Sequence, residues 1–216
     1  MNSLIERACS SSSPLRVAVL ASGSGSNLQA LLDAVAVGDR SFRVVVVVTN
    51  IEGAGAAARA GAAGVAAVCV PHKGLSRTEH ETQVLQALRA HDVEFVVLAG
   101  YMRVVTSTLL QAFASRVLNV HPALLPSFPG LHGAKQALDH GCRVAGCTVH
   151  LVDDGVDTGP ILAQGVVPVL FDDDEASLQR RIQAVEHRLL PAVVQGIATG
   201  RVVDVNGRPR WLDHDA

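Results

Sequence analysis

Short apolar runs alternate with helical periodicity along the first half of the chain. The runs at 17–21, 44–48, 65–70 and 95–99 are built mainly from Val, Leu and Ala. Continuous apolarity of that length, bounded by turn residues, predicts short strands buried on both faces. Between them, the stretches 28–37, 54–61 and 82–91 carry the amphipathic or Ala-rich spacing of helices. This βαβα order predicts an α/β fold around a doubly wound, mostly parallel sheet of Rossmann-like type, with ligands gathering at the carboxyl ends of the strands. Further runs at 117–120, 144–152 and 161–169 extend the sheet. After residue 141 the runs are joined by loops instead of long helices, so antiparallel edge strands are expected near the C-terminus. A long helix over 175–197 follows, with Asp173 or Asp174 as its cap and acidic residues in its first turn. The segments 202–205 and 210–212 flank Asn206-Gly207, a hairpin signal. No repeat or linker divides the sequence, so residues 16–216 are expected to form a single domain behind a flexible, serine-rich tail, residues 1–15.

Composition narrows the partners. Hydrophobic residues make up 49% of the 216 positions, charged residues 18% and aromatic residues only 3%, so one sizeable core must be packed from small aliphatic side chains. The net charge of −2, with no basic run, argues against a nucleic-acid partner or an anionic membrane surface, both of which need clustered Lys and Arg. No apolar run reaches the roughly 20 residues of a spanning helix, and the first fifteen residues lack the apolar region of a secretory signal. A soluble protein acting on small molecules is expected. Cys9, Cys69, Cys142 and Cys147 have no zinc-like spacing, and Cys69 lies within an apolar strand pattern that predicts a buried thiol. A reducing cytoplasm fits that usage. None of the nine histidines falls into a metal-ligand motif, so no metal is expected.

Three segments carry chemistry. Asn119 and His121 stand two residues apart where an apolar strand gives way to a loop stiffened by Pro122, Pro126 and Pro129. On extended backbone both side chains point to one side. An amide donor beside an imidazole suits a carbonyl whose oxygen becomes negative under attack, the demand of acyl transfer. The second segment, Ser22-Gly23-Ser24-Gly25-Ser26-Asn27, lies between the first strand and its helix. Its free N–H groups can cradle one phosphate, whereas a dinucleotide loop would need a glycine where Leu28 stands, and the Lys of a Walker loop is missing. The plain alternative is a glycine-rich turn. The third, Asp153-Asp154-Gly155-Val156-Asp157-Thr158-Gly159-Pro160, is a structured acidic loop. Asp153 and Asp154 read as an exposed acidic turn; Asp157 is placed to turn inward, where it could hold an imidazole in its charged form or relay protons. His150 reads first as a hydrogen-bonded core histidine and second as a supporting site residue, His132 as a loop contact and His140 as a helix-surface residue.

Taken in order, the glycine loop, Leu98-Ala-Gly-Tyr-Met-Arg103, Asn119-Val-His-Pro-Ala-Leu-Leu-Pro126, Pro129-Gly-Leu-His132 and Gly155-Val-Asp-Thr-Gly-Pro160 resemble the phosphoribosylglycinamide formyltransferase family from about Arg16 to Trp211. The resemblance implies the formyltransferase variant of the Rossmann-like fold. It also implies transfer of a formyl group from 10-formyltetrahydrofolate to the amine of glycinamide ribonucleotide in purine synthesis. By that resemblance Asn119, His121 and Asp157 are the catalytic trio, and Gly25, Ser26 and Asn27 hold the ribonucleotide phosphate. Glu186 touches the glycinamide substrate. Arg77, Met102, Arg103, Val104, Val105 and Asn119, with the loop Asp153, Asp154, Gly155, Val156 and Asp157, line the folate side. Three rivals remain open. A formyltetrahydrofolate hydrolase carries an N-terminal regulatory domain for which about fifteen tail residues leave no room; methionyl-tRNA formyltransferase appends a nucleic-acid-binding domain, and no basic patch follows Trp211. A non-enzymatic phosphate-ligand module would leave the trio without a purpose. A homodimer is possible, though no apolar stripe marks an interface.

Overall fold

The structure is a computed structural model that describes residues 13–205 and 208–212. Nine strands and six helices are assigned among them: β1 (Leu15–Ala21), α1 (Ser26–Ala36), β2 (Phe42–Thr49), α2 (Gly55–Ala62), β3 (Ala66–Cys69), α3 (Arg77–Ala90), β4 (Phe95–Leu98), α4 (Ser107–Ala112), β5 (Val117–His121), α5 (Gly133–Asp139), β6 (Val144–Leu151), β7 (Ile161–Pro168), α6 (Glu175–Ala198), β8 (Val202–Val205) and β9 (Arg208–Trp211). Seven strands form one sheet in the order β3-β2-β1-β4-β5-β6-β7. The first five run parallel, and β6 pairs antiparallel with both β5 and β7, as the loop-connected second half predicts. The strand order reverses between β1 and β4, so their carboxyl ends open a crevice there.

Alternation along β1 shows why the sheet needs both layers. Val17, Val19 and Ala21 join Leu28 and Leu31 of α1 and Leu190, Val193, Val194 and Ile197 of α6 in one core. Ala18 and Leu20 join Val84, Leu85 and Leu88 of α3 and Leu109 of α4 in the other. A third cluster packs Leu178 and Ile182 of α6 on Cys147 of β6 and Ala134 and Ala137 of α5. Burial pushes the Cys147 thiol up to about 12. The β8–β9 hairpin docks beneath α6, where Trp211 donates from Nε1 to the Leu162 carbonyl at 2.9 Å.

Several expectations need correction. The strand begins at Leu15, which pairs with Phe42, so the segment expected as tail is one residue too long; residues 1–12 lie outside the described residues, as does the Asn206-Gly207 turn. Cys69 is exposed, not buried, because β3 is an edge strand with little covering its outer positions. Helix α3 starts at Arg77, five residues before the expected start at residue 82. There Ser76 accepts the Glu79 N–H at 3.2 Å and Glu79 accepts the Ser76 N–H at 2.9 Å, a capping box. Asp174, one of the two expected caps, closes the start of α6 in the same way with Ser177.

Candidate active site

The carboxyl ends of β1, β4 and β5 open into a cleft of about 560 Å³, within the usual range for small-molecule sites. The glycine loop forms one end. Gly25 has φ 76°, a left-handed conformation that costs glycine little, and a Cβ at that position would lie 2.7 Å from Ala56 Cα. The loop therefore packs directly on α2, which braces it twice more: the Ala56 N–H donates to the Gly23 carbonyl at 3.1 Å and Arg59 Nε to the Ser24 carbonyl at 2.8 Å. Helix α1 starts at Ser26 with no side-chain cap, so its first N–H groups are left to serve an anion. Asn27 turns its amide to Glu186 instead, Nδ2 to Oε2 at 2.8 Å. Burial pushes the Glu186 carboxyl up and the Asn27 amide only partly offsets it.

At the centre of the cleft, β5 presents Asn119 and His121 on one side, two residues apart, with His150 directly across the ladder from Asn119 on β6. The proline loop after His121 is pinned from behind. Thr148 donates to the Ala123 carbonyl at 2.7 Å and accepts from Leu125 N–H at 3.0 Å. Asp157 arrives from the acidic turn, where φ of 55° swings its side chain inward. That turn is held by Asp153, which accepts from Gly155 N–H and Thr158 hydroxyl at 3.1 and 2.7 Å.

Asp157 is the hub. One carboxylate oxygen lies 3.3 Å from His121 Nδ1 and accepts the Gly130 N–H at 2.8 Å. The other lies 3.4 Å from Asn119 Nδ2 and 3.5 Å from His150 Nε2. Burial alone would raise this carboxyl, but the hydrogen bonds and the two imidazoles outweigh it and hold Asp157 below the usual carboxylate range. His121 Nε2 sits 2.9 Å from the Phe128 carbonyl, so both ring nitrogens face oxygen acceptors and a doubly protonated ring satisfies both. His150 differs. Its Nδ1 faces the Leu151 carbonyl at 2.8 Å, which requires Nδ1–H, and in the neutral ring Nε2 accepts from Asn119 Nδ2 at 3.1 Å. A charged His150 would turn Nε2–H to Asp157 and force the Asn119 amide to rotate.

The same cleft is lined by Gly25, Ser26, Asn27 and Glu186, by Asn119, His121, His150 and Asp157, and by Met102, Arg103, Val104 and Val105 with Asp153, Gly155 and Val156. Met102 and Val104 are 66% and 50% exposed, and Leu131 and Val156, which line the same cleft, are 67% and 53% exposed. Arg77 and Asp154 stand apart, both exposed, outside this lining. His150 is buried as a core histidine would be, yet its ring belongs to the cleft. His132, expected as a loop contact, is the residue before α5, in the left-handed region, and its Nδ1 is 3.4 Å from Glu175 Oε1. His140 closes α5 and meets the Phe128 ring edge-on at 5.8 Å. Gln179 and Gln183 were not foreseen. They precede Glu186 at one helical face of α6 and line the cleft with it, and their polar side chains on the packed face were the available signal.

Residues 15–194 match the formyl transferase family. The chain is 49% identical over 196 residues to the phosphoribosylglycinamide formyltransferase of Mycobacterium tuberculosis, covering 90% of each. It is 44% identical over 188 residues, 86% of its length, to the trifunctional purine biosynthetic protein adenosine-3 of Drosophila melanogaster, of which it spans only 14%. Glycinamide ribonucleotide transformylase 1 from Symbiobacterium toebii superposes with a TM-score of 0.91 at 47% identity, covering 94% of this chain and 96% of that one. With most of its length matched and about half its aligned positions shared with a relative that it covers nearly end to end, the chain belongs to the formyl transferase family.

Proposed function

We propose that this protein transfers the formyl group of 10-formyltetrahydrofolate to the amine of N1-(5-phosphoribosyl)glycinamide, giving formylglycinamide ribonucleotide and tetrahydrofolate in de novo purine biosynthesis in the cytoplasm. The observation that carries this reading is the convergence of Asn119, His121 and Asp157 in one cleft with a glycine loop suited to a phosphate and an apolar wall suited to a flat folate ring. The ribonucleotide phosphate binds at Gly25, Ser26 and Asn27, its glycinamide arm passes Glu186, and the folate lies along Met102, Arg103, Val104 and Val105. The amine attacks the formyl carbon, and the carbonyl oxygen gains charge as a tetrahedral adduct forms. Asn119 stabilises that oxygen by giving up its long contact to Asp157, and the charged His121 ring adds a second donor when its Nε2–H leaves the Phe128 carbonyl; each such donor is worth about 3 kcal/mol. Collapse of the adduct breaks the bond to the folate nitrogen, which takes a proton as the attacking amine loses one. Asp157 carries that proton, directly or through water, while keeping His121 charged. No step calls on a metal ion.

The test follows the absorbance change of a 10-formylfolate analogue mixed with the protein, with and without the ribonucleotide. Deformylation only when the ribonucleotide is present is the expected result. Deformylation without it would make the protein a hydrolase, and no reaction in either case would leave a phosphate-binding module. Asp157→Asn and His121→Ala should each lower kcat on the order of 10²-fold or more with far-UV circular dichroism unchanged. Near-full turnover in either variant would refute these roles.

A further inference from the structure

The wall formed by Met102, Arg103, Val104 and Val105 belongs to no helix or strand, yet it is the surface to which the proposed function assigns the folate. Its shape is imposed from its two ends. At the first, the Met102 N–H donates to Ser22 Oγ at 2.8 Å. Ser22 is buried at the carboxyl end of β1, and its backbone N–H also donates to the Gly100 carbonyl at 3.0 Å. The Ser22 hydroxyl has a single proton, donated to Asn50 Oδ1 at 2.6 Å, so only its lone pairs are left to face Met102. Asn50, buried beyond the end of β2, thus orients the hydroxyl that holds Met102; its Nδ2 lies 3.3 Å from His72 Nδ1. At the other end, the buried Glu81 carboxylate of α3 accepts the Thr106 N–H and the Thr106 hydroxyl, both at 2.6 Å, and the Leu109 N–H at 3.1 Å.

We infer that Ser22 and Glu81 are positioning residues for formyl transfer. Neither is a catalytic group; they clamp the two ends of the 102–106 segment so that an exposed loop presents a fixed apolar wall. A segment with exposed Met102 and Val104 side chains and no regular secondary structure would otherwise have to be ordered when substrate binds, and that ordering entropy subtracts from affinity. The inference rests on the folate assignment of the wall, and the experiment separates the two.

Hydrogen exchange across residues 101–107 and steady-state kinetics are to be measured for Ser22→Ala, Asn50→Ala, the double variant and Glu81→Gln. Expected are exchange at least tenfold faster in that segment and a folate KM raised five- to tenfold. The ribonucleotide KM should stay within twofold, a split that loss of general stability would not produce. Ser22→Ala and the double variant should give the same folate KM, because Asn50 acts on Met102 only through the Ser22 hydroxyl. Unchanged exchange in Ser22→Ala and Glu81→Gln overturns the clamp. Faster exchange with an unchanged folate KM overturns the folate assignment of the wall and, with it, the positioning role. Should Glu81→Gln fail to fold, the Ser22 and Asn50 variants carry the test.

Discussion

Glu186 illustrates how a buried carboxyl that lines the cleft can work against the fold. It is almost fully enclosed with a single amide donor, Asn27, and burial raises its carboxyl. A carboxyl whose value in the fold lies above its unfolded value favours folding fully below the unfolded value, and that contribution is lost as pH rises through the folded value. Glu186→Gln removes the charge while keeping an oxygen for Asn27. The variant should therefore melt at a higher temperature than the wild type near about pH 8, the gap closing as the pH falls below the ordinary carboxylate value of 4.5. Melting curves at several pH values with the same offset would show that Glu186 is not held at a raised value. Asp157 has the opposite sign: its lowered carboxyl contributes stability above its unfolded value and loses it as pH falls through the folded one. Asn119, His121 and Asp157 are readable as candidates from residue type and spacing. Their shared hub is not, because Asp157 lies 36 residues beyond His121 and meets it only after β6 and its turn have folded back. The part of His150 in that hub was hidden for the same reason: on the sequence it is one histidine closing an apolar run.

At the scale of elements, helix α6 shows packing overruling local preference. Pro191 stands in its interior, where a missing N–H ordinarily bends or ends a helix, yet the helix continues through 24 residues. The burial of Leu178, Ile182, Leu190, Val193, Val194 and Ile197 across two clusters holds it in place. Leu190→Ala should cost about 2–5 kcal/mol of stability, whereas Val166→Ala, on the exposed side of edge strand β7, should stay within about 0.5 kcal/mol. Urea denaturation of both variants checks this, and equal losses would mean that α6 does not anchor the core. The element pattern itself was largely legible, since continuous Val-rich runs and amphipathic stretches are local signals. Helix α4 leaves no readable signal in the sequence and α5 only the surface reading of His140 at its end, because six and seven residues give too little periodicity.

For the whole molecule, the position of a strand in the sheet decides its exposure. The runs that became β1 and β3 look alike on the sequence, but β1 sits at the centre and β3 at the rim. Cys69 and Cys147 report the difference. A thiol reagent applied to the native protein, with labelled sites located by mass spectrometry, should modify Cys69 readily and leave Cys147 unmodified until denaturant is added. Labelling of Cys147 in the native state would contradict the packing of β6 against α6. Among the described residues no helix is long and apolar enough to cross a membrane, in keeping with the modest length of every apolar run. The order of hydrophobic and polar positions by itself determined the α/β class, the parallel first half, the antiparallel edge and the three chemical segments, because each depends on neighbours within a few residues. Strand order, the exposure of Cys69, the ring of contacts around Asp157, the polar face of Gln179, Gln183 and Glu186 and the clamps on residues 102–106 were decided only by the tertiary structure. Each depends on which distant segments lie side by side, and that is set when the two layers of helices close over the sheet.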